Sequence, residues 1–429
     1  MAQTSTTAKT VEVVFENAIE TYQHQTKMAD MVEVYTPEQG ALQNAGNNIW
    51  RPAQQHAPII TGWDVSNQYT GIIEEAYRAT LTDPRNDAWE IRADDLRDMS
   101  FWERRGKQSG MRQATELNKR LAQLVATEGT LFVEAPSGTN NGFDFISNAQ
   151  VVLDERQSPE DMRYMLLNPR NNRTFASELS GRETLRDRPE MSYAMGQIGS
   201  NVAGFDVYSG NFLPQITGGA SPDTTTTAAV SLAPVAGTTT TSGATNVDYR
   251  YGTIPVAAST NYNVGDKVRF DNSGTGAVQS LGKADKTPTG QPMTFTIVSK
   301  PNSTSVVVSP RPIAVNDSAL TALQQAYANI DTQIASGATM VRLNTAATAT
   351  TNIFWQKDSI EVLGGDAPID LLNSFGGQRV ISSSIGMGQK MYMAYDGNID
   401  DMSFKCRLFV WYGLTNTDPS QNGVLTLAV

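Results

Sequence analysis

Apolar residues between Asp94 and Glu128 return every three or four positions: Leu96, Met99 and Trp102, then Met111, Ala114, Leu117, Leu121 and Leu124. That period puts them on one stripe of an α-helix. Arg97, Arg104, Arg105, Lys107, Arg112, Lys119 and Arg120 fall mostly off the stripe, interleaved with Asp98, Glu103 and Glu116, as on a solvated or partner-facing side. Asp94 and Asp95 suit the positive end of the helix dipole, and Gly129 stands where a C-cap glycine belongs. Unbroken, this helix would run about 50 Å at about 1.5 Å per residue, against a usual length of about eleven or twelve residues. Gly106 and Gly110 are its weak points, each costing about 1 kcal/mol relative to alanine. A bend, or two shorter helices meeting near Gly106, is the competing expectation.

Another amphipathic helix falls within residues 10–35, with Val11, Val14, Phe15, Ala18, Ile19 and Tyr22 on one face. Opposite them Glu12, Glu16 and Glu20 stand four apart. Like charges at that spacing disfavour an isolated helix by about 0.2–0.5 kcal/mol per pair. They are either an acidic docking strip for a basic partner or solvated acids near a helix N-terminus. From Asn47 to Arg92 the pattern becomes that of a long hairpin, flanked by NNIWRPAQ and NDAWEIRADD, in which Trp89 and Ile91 alternate with Glu90 and Arg92. A two-stranded arm is marginal alone in water, so it is expected to lie over another element or another subunit.

Residues 130–216 read as mixed α/β, with an apolar run ending at Asn168-Pro169 and a helical segment after it. Thr217 to Thr253, with its TTTT runs, is too polar and simple to build a core and reads as a mobile loop or linker. Strand character returns over residues 254–313, where NYNVGDKVRF and MTFTIVSKPNSTSVVVSPRPI predict a small β-barrel or sandwich. A short helix is expected between Ser318 and Ala335. The mixed α/β pattern then resumes at MVRLNTAATATTNIFW and ends in strands, so the β module reads as inserted.

Composition narrows the function classes. A net charge of −11 disfavours sequence-independent attraction to nucleic acid. The single cysteine, Cys406, excludes an internal disulfide framework and suits a reducing compartment. The N-terminus lacks a charged-then-apolar leader, and no apolar run approaches the ~20 residues of a membrane span, which predicts a soluble product. Two histidines, His24 and His56, cannot furnish a multi-histidine zinc site, and no nucleophile elbow or phosphate loop is present. Paired acids such as Asp94-Asp95, Asp154-Glu155 and Asp400-Asp401 are ordinary doublets in a chain with 44 acids. No catalytic, cofactor or metal residues are expected.

The order of elements, with NNIW at 47–50, RADDLRD at 92–98, VAGFD followed by LP between 202 and 214, GDKVRF at 265–270, AYAN at 326–329 and CRLFVWYG at 406–413, resembles the major capsid proteins of tailed phages with the HK-97 fold. It is most similar to coat proteins of the short-tailed P22 group. The resemblance implies an α+β fold: an N-arm (1–45), an E-loop hairpin (46–92), the spine helix with part of a P domain (93–150), the first part of an A domain (151–221), an inserted β-barrel or I domain (222–342), the A-domain return (343–375) and C-terminal P- and A-domain strands (376–429). It further implies hexamers and pentamers of this chain in an icosahedral shell, assembled in the host bacterial cytoplasm around a scaffolding protein. That shell expands as double-stranded DNA enters through a portal protein and encloses the DNA without sequence-specific binding or a membrane. On this resemblance Glu16 and Glu20 fall where relatives dock scaffolding protein. A charged inter-capsomer loop has no charges here at 238–246, leaving Asp248 and Arg250 as the nearest pair. A surface adhesin or lectin and a carboxylate-based glycoside hydrolase are the rivals from other classes.

Overall fold

The structure is a computed structural model that describes residues 6–37, 47–53, 63, 72–92, 99–135, 143–180, 197–235, 247–344, 348–367, 369, 373, 379–386, 388–398 and 403–427. The chain divides into two compact units. One comprises Met1–Ile49, Ala79–Leu121 and Glu361–Thr415, the other Trp50–Arg78, Ala122–Ile360 and Asn416–Val429.

In the first unit the N-terminal helix, Thr6–Gln25, buries Val11, Val14, Phe15, Ala18 and Tyr22 and leaves Glu12, Glu16 and Glu20 exposed, as its periodicity requires. The long helix is continuous from Met99 to Glu128; Asp94 and Asp95 lie outside the described residues. Neither glycine breaks it. Trp102, Gly106, Ser109, Gly110, Gln113, Ala114, Leu117, Asn118 and Leu121 form its buried stripe in this unit. Met111, expected on the stripe, is 48% exposed, and Leu124 is only half-buried. The stripe is rotated because small residues face the N-terminal helix. A Cβ at Gly106 would lie 2.5 Å from the carbonyl oxygen of Val14, and one at Gly110 would overlap that of Ala18. The two backbones therefore meet where side chains are missing, and the glycines serve close approach. Asn118 fixes the end of the N-terminal helix: its amide donates to the Gln25 carbonyl (3.0 Å) and its Oδ1 accepts from the Met28 N–H (3.3 Å).

A four-stranded antiparallel sheet runs Arg379–Gly386, Gln389–Asn398, Ser403–Val410, Arg85–Arg92. Its last strand is the one expected as the far flank of the hairpin arm. Its Ile91 side chain is buried, as the alternation predicts, and the strand pairs along its whole length with Ser403–Val410. The arm's own paired strands are Asn48–Pro52 and Ala76–Thr80. Between Glu33–Tyr35 and Glu361–Leu363 the pairing is parallel.

Besides a two-stranded sheet, Gln279–Leu281 with Pro288–Pro292, the second unit contains two large sheets. One is ordered Leu131–Ala135, Asn422–Leu427, Thr348–Gln356, Arg163–Leu167, Phe205–Ser209, Gln197–Val202, and the helix Phe143–Glu155 buries Phe145, Ile146, Ala149 and Leu153 in its core. The helix Pro169–Ser180 begins as its sequence predicts: proline tolerates the first helical position, and Asn168 Oδ1 accepts from Arg170 N–H at 3.0 Å. The inserted module forms the other sheet, ordered Thr224–Thr225, Thr339–Arg342, Lys267–Asn272, Phe295–Asn302, Ser305–Ser309, Gly252–Pro255. Its ends are stitched together by a Thr226–Val256 bridge, with Thr227 N–H donating to Pro255 O (3.1 Å) and Ala257 N–H to Thr225 O (2.9 Å). The strands thus encircle one core, in which Val268, Phe270, Phe295, Ile297, Val306, Val308 and Met340 are fully buried. The first threonine run is part of this structure rather than a linker. Thr226 is buried, and its hydroxyl donates to Ala335 O at 2.6 Å. The second run, at 238–241, lies outside the described residues. Between Ser318 and Ala335 the helix shrinks to Ala322–Gln325, capped reciprocally by Thr321 and Gln324.

Candidate assembly surfaces and the charged base of the inserted module

Glu12, Glu16 and Glu20 line one exposed edge of the N-terminal helix, one turn apart. The opposite edge is clamped: Val14 and Ala18 sit against the two glycines, and the Tyr22 hydroxyl donates to Gln389 Oε1 at 2.8 Å within a buried site. Three carboxylates on a fixed scaffold form a row suited to a basic helix or arm, because no ordering of the row itself is needed on binding.

Asp248 and Arg250 have a different setting. Arg250 is 5% exposed, and its guanidinium donates to both Asp248 oxygens (2.9 and 2.6 Å), to Asn416 O (2.5 Å) and to Arg78 O (3.2 Å). The same group lies over the rings of Tyr251 (5.0 Å) and Tyr77 (5.6 Å). Burial works against its charge, but the hydrogen bond and charge of Asp248 more than offset this and hold the guanidinium protonated. The pair expected at a boundary between capsomers is thus enclosed by its own chain.

Further charges at the base of the module carry no distinguishing mark in the sequence. Lys267 begins the strand Lys267–Asn272, yet it is wholly buried, and its ammonium donates to the Gly129 carbonyl and to Thr296 Oγ1 (3.0 Å). Thr296 donates to the same carbonyl at 2.7 Å, so two side chains satisfy the C-terminal end of the long helix. Burial lowers the Lys267 pKa to about 7, with Glu128 opposing the shift. Lys283 pairs with Asp418 at 2.5 Å. Glu75 is buried, which pushes its carboxyl up to about 7 although Arg311 and Lys286 pull it down. The one signal available for Lys267 is its placement directly before the apolar alternation of Val268 and Phe270.

Glu75 makes stability depend on pH. Between its ordinary value near 4.5 and about 7 the folded chain holds a proton that the unfolded chain has released, so this contribution is lost as pH rises through that window. The denaturation midpoint of Glu75→Gln, compared with the unsubstituted chain from pH 5 to 8, is expected to gain steadily; a constant difference would contradict the assignment.

No group of three or more His, Cys, Asp or Glu side chains among the described residues is placed to hold a metal. Cys406 is buried, which pushes its thiol up to about 12 and leaves it un-ionised near neutrality. His24 is exposed, and His56 lies outside the described residues. No helix among the described residues is long and apolar enough to cross a membrane.

A family model described as "P22 coat protein - gene protein 5" matches residues 1–426, and the chain belongs to this family of phage coat proteins. Among solved structures it is similar to Mycobacterium phage Che8 (12% identity, 93% of this chain and 90% of that one, TM-score 0.46). It is also similar to the capsid of cyanophage P-SCSP1u (12%, 94% and 88%, 0.45). A virus-like particle from Pyrococcus furiosus is a third (8%, 96% and 98%, 0.38).

Proposed function

We propose that this coat subunit assembles as hexamers and pentamers around a scaffolding protein, in the host bacterial cytoplasm, into a procapsid. The shell then expands as double-stranded DNA is packaged through a portal and encloses the DNA without sequence-specific contacts. The family match across residues 1–426 carries this proposal. In domain terms, residues 1–45 act as the N-arm, 46–92 as the E-loop, 93–150 as the spine helix and part of the P domain, 151–221 and 343–375 as the A domain, 222–342 as the I domain and 376–429 as the closing strands. Arg85–Arg92 pairs inside the four-stranded sheet, so the free part of the E-loop ends before it. Trp63, on that arm, exposes its whole indole, as befits a group whose cover comes from another molecule.

Glu16 and Glu20 are assigned to scaffolding binding, supported by their exposure on a helix held from behind. Their pairing with a basic partner is screened by salt, since both are at the surface. The Glu16→Lys/Glu20→Lys double variant is expected to fold normally and to lose scaffolding protein from its assembly products by tenfold or more in pelleting assays at low salt. Unchanged uptake would retire the assignment. For Asp248 and Arg250 the buried geometry supports a role within the subunit in place of the inter-capsomer contact that the resemblance implied.

A further inference from the structure

The base of the hairpin arm is fastened to the inserted module at Ile73, Glu75, Ala76, Tyr77 and Arg78. Ile73 N–H donates to the Tyr327 hydroxyl at 3.0 Å. Glu75 is buried within the electrostatic reach of Arg311 and Lys286. Ala76 bridges to Asp248 in parallel fashion, and its carbonyl accepts from Tyr249 N–H at 3.0 Å. Tyr77 lies under the Arg250 guanidinium, while Arg78 N–H donates to Asp248 Oδ2 (3.3 Å) and its carbonyl accepts from Arg250 (3.2 Å). The module's side of this line is itself anchored, with the Tyr249 hydroxyl donating to Thr417 O at 2.7 Å and Lys283 paired to Asp418. Module groups at 248–250, 286, 311 and 327 therefore converge on five arm residues between Ile73 and Arg78.

We infer that the inserted module is a brace for the hairpin arm: Tyr327, Arg311, Lys286, Asp248 and Arg250 fix the direction in which the arm leaves the subunit, and so the angle at which one copy engages the next. A two-stranded ribbon is only marginally stable by itself. Such a ribbon swings freely unless its backbone groups are held by something outside it. Here the hydrogen bonds at Ile73, Ala76 and Arg78 supply that hold. A small angular freedom at the base is amplified with distance from it. The consequence for shells rests on the proposed function; the brace itself does not.

Tyr327→Phe combined with Glu75→Gln tests this without touching the Asp248–Arg250 pair, so that the fold survives. In the assembly-competent full chain, amide hydrogen exchange over 72–78 is expected to quicken at least tenfold while exchange in the strands Lys267–Asn272 and Phe295–Asn302 stays unchanged. On co-expression with scaffolding protein, shells are expected to spread in diameter or to include open and spiral forms, with the thermal midpoint of the isolated subunit nearly unaltered at pH 5, where the folded chain holds Glu75 protonated and glutamine replaces it with least effect. A merely structural contact would lower that midpoint and leave shell geometry alone, which would overturn the inference. Unaltered exchange over 72–78 would overturn it too, whatever the shells do. If the unsubstituted chain made no shells, the functional proposal would fall instead, and the exchange measurement would still decide the brace.

Discussion

Gly110→Ala is expected to destabilise the first unit by about 1–3 kcal/mol, the usual range for forcing an extra methyl into a packed contact. The sign is informative, because in an isolated helix the same change would be stabilising by about 1 kcal/mol. The added Cβ would overlap the Ala18 carbonyl, and a backbone atom cannot rotate out of the way as a side chain can. Relief comes only if the N-terminal helix lifts. Amide exchange at Val14–Tyr22 should then quicken far more than exchange in Leu117–Leu121, and the acidic row should lose its fixed spacing. Gly106→Ala is expected to act in the same direction, its Cβ falling 2.5 Å from the Val14 carbonyl oxygen. A rise in the denaturation midpoint of either variant would mean that the glycines are only weak points of the helix.

Arg250→Ala should cost still more, about 3–5 kcal/mol, the range found when one partner of a buried ion pair is removed. The loss has identifiable parts: the half-buried Asp248 carboxylate is left without its partner, and the carbonyls of Asn416 and Arg78 lose a donor. Because much of the cost is the orphaned carboxylate, Asp248→Asn added to Arg250→Ala is expected to recover part of it, a coupling that a double-mutant cycle in chemical denaturation measures directly. A contact between capsomers would behave otherwise. The isolated subunit would change by about 0.5 kcal/mol or less, as is usual for surface sites, and only the shells would weaken.

Where a helix presents large apolar residues to one side, the sequence is legible. The face Val11–Val14–Phe15–Ala18–Tyr22 is buried as its spacing predicts, and the start of Pro169–Ser180 follows from local chemistry alone. The long helix is also visible, but its apolar pattern misplaces the buried side at Met111, because hydrophobicity marks a stripe only when the contact is made by side chains. At Gly106, Ser109 and Gly110 the contact is made by backbone, and their small size carries a message that a hydropathy pattern cannot express. The threonine run 224–227 misleads for a related reason. The hydroxyls of Thr224 and Thr226 are satisfied inside the barrel seam while Thr225 and Thr227 face outward, so a polar stretch can supply buried positions. Arg85–Arg92 shows correct strand alternation, yet its partner lies more than 300 residues away, and alternation does not name a partner.

Of the candidate surfaces, the acidic helix edge is legible from spacing, whereas the charged base of the module is not. Glu75, Lys267 and Asp418 are ordinary charges in sequence. Only the folded chain brings Lys267 to the carbonyl that ends the long helix, and Glu75 to Arg311 and Lys286.

Electron microscopy of the chain co-expressed with its scaffolding protein tests the central claim most directly. Closed, hollow shells of uniform diameter, built from hexameric and pentameric clusters, are the predicted result. A product that remains monomeric at high concentration, with scaffolding protein bound or unbound, would contradict the account.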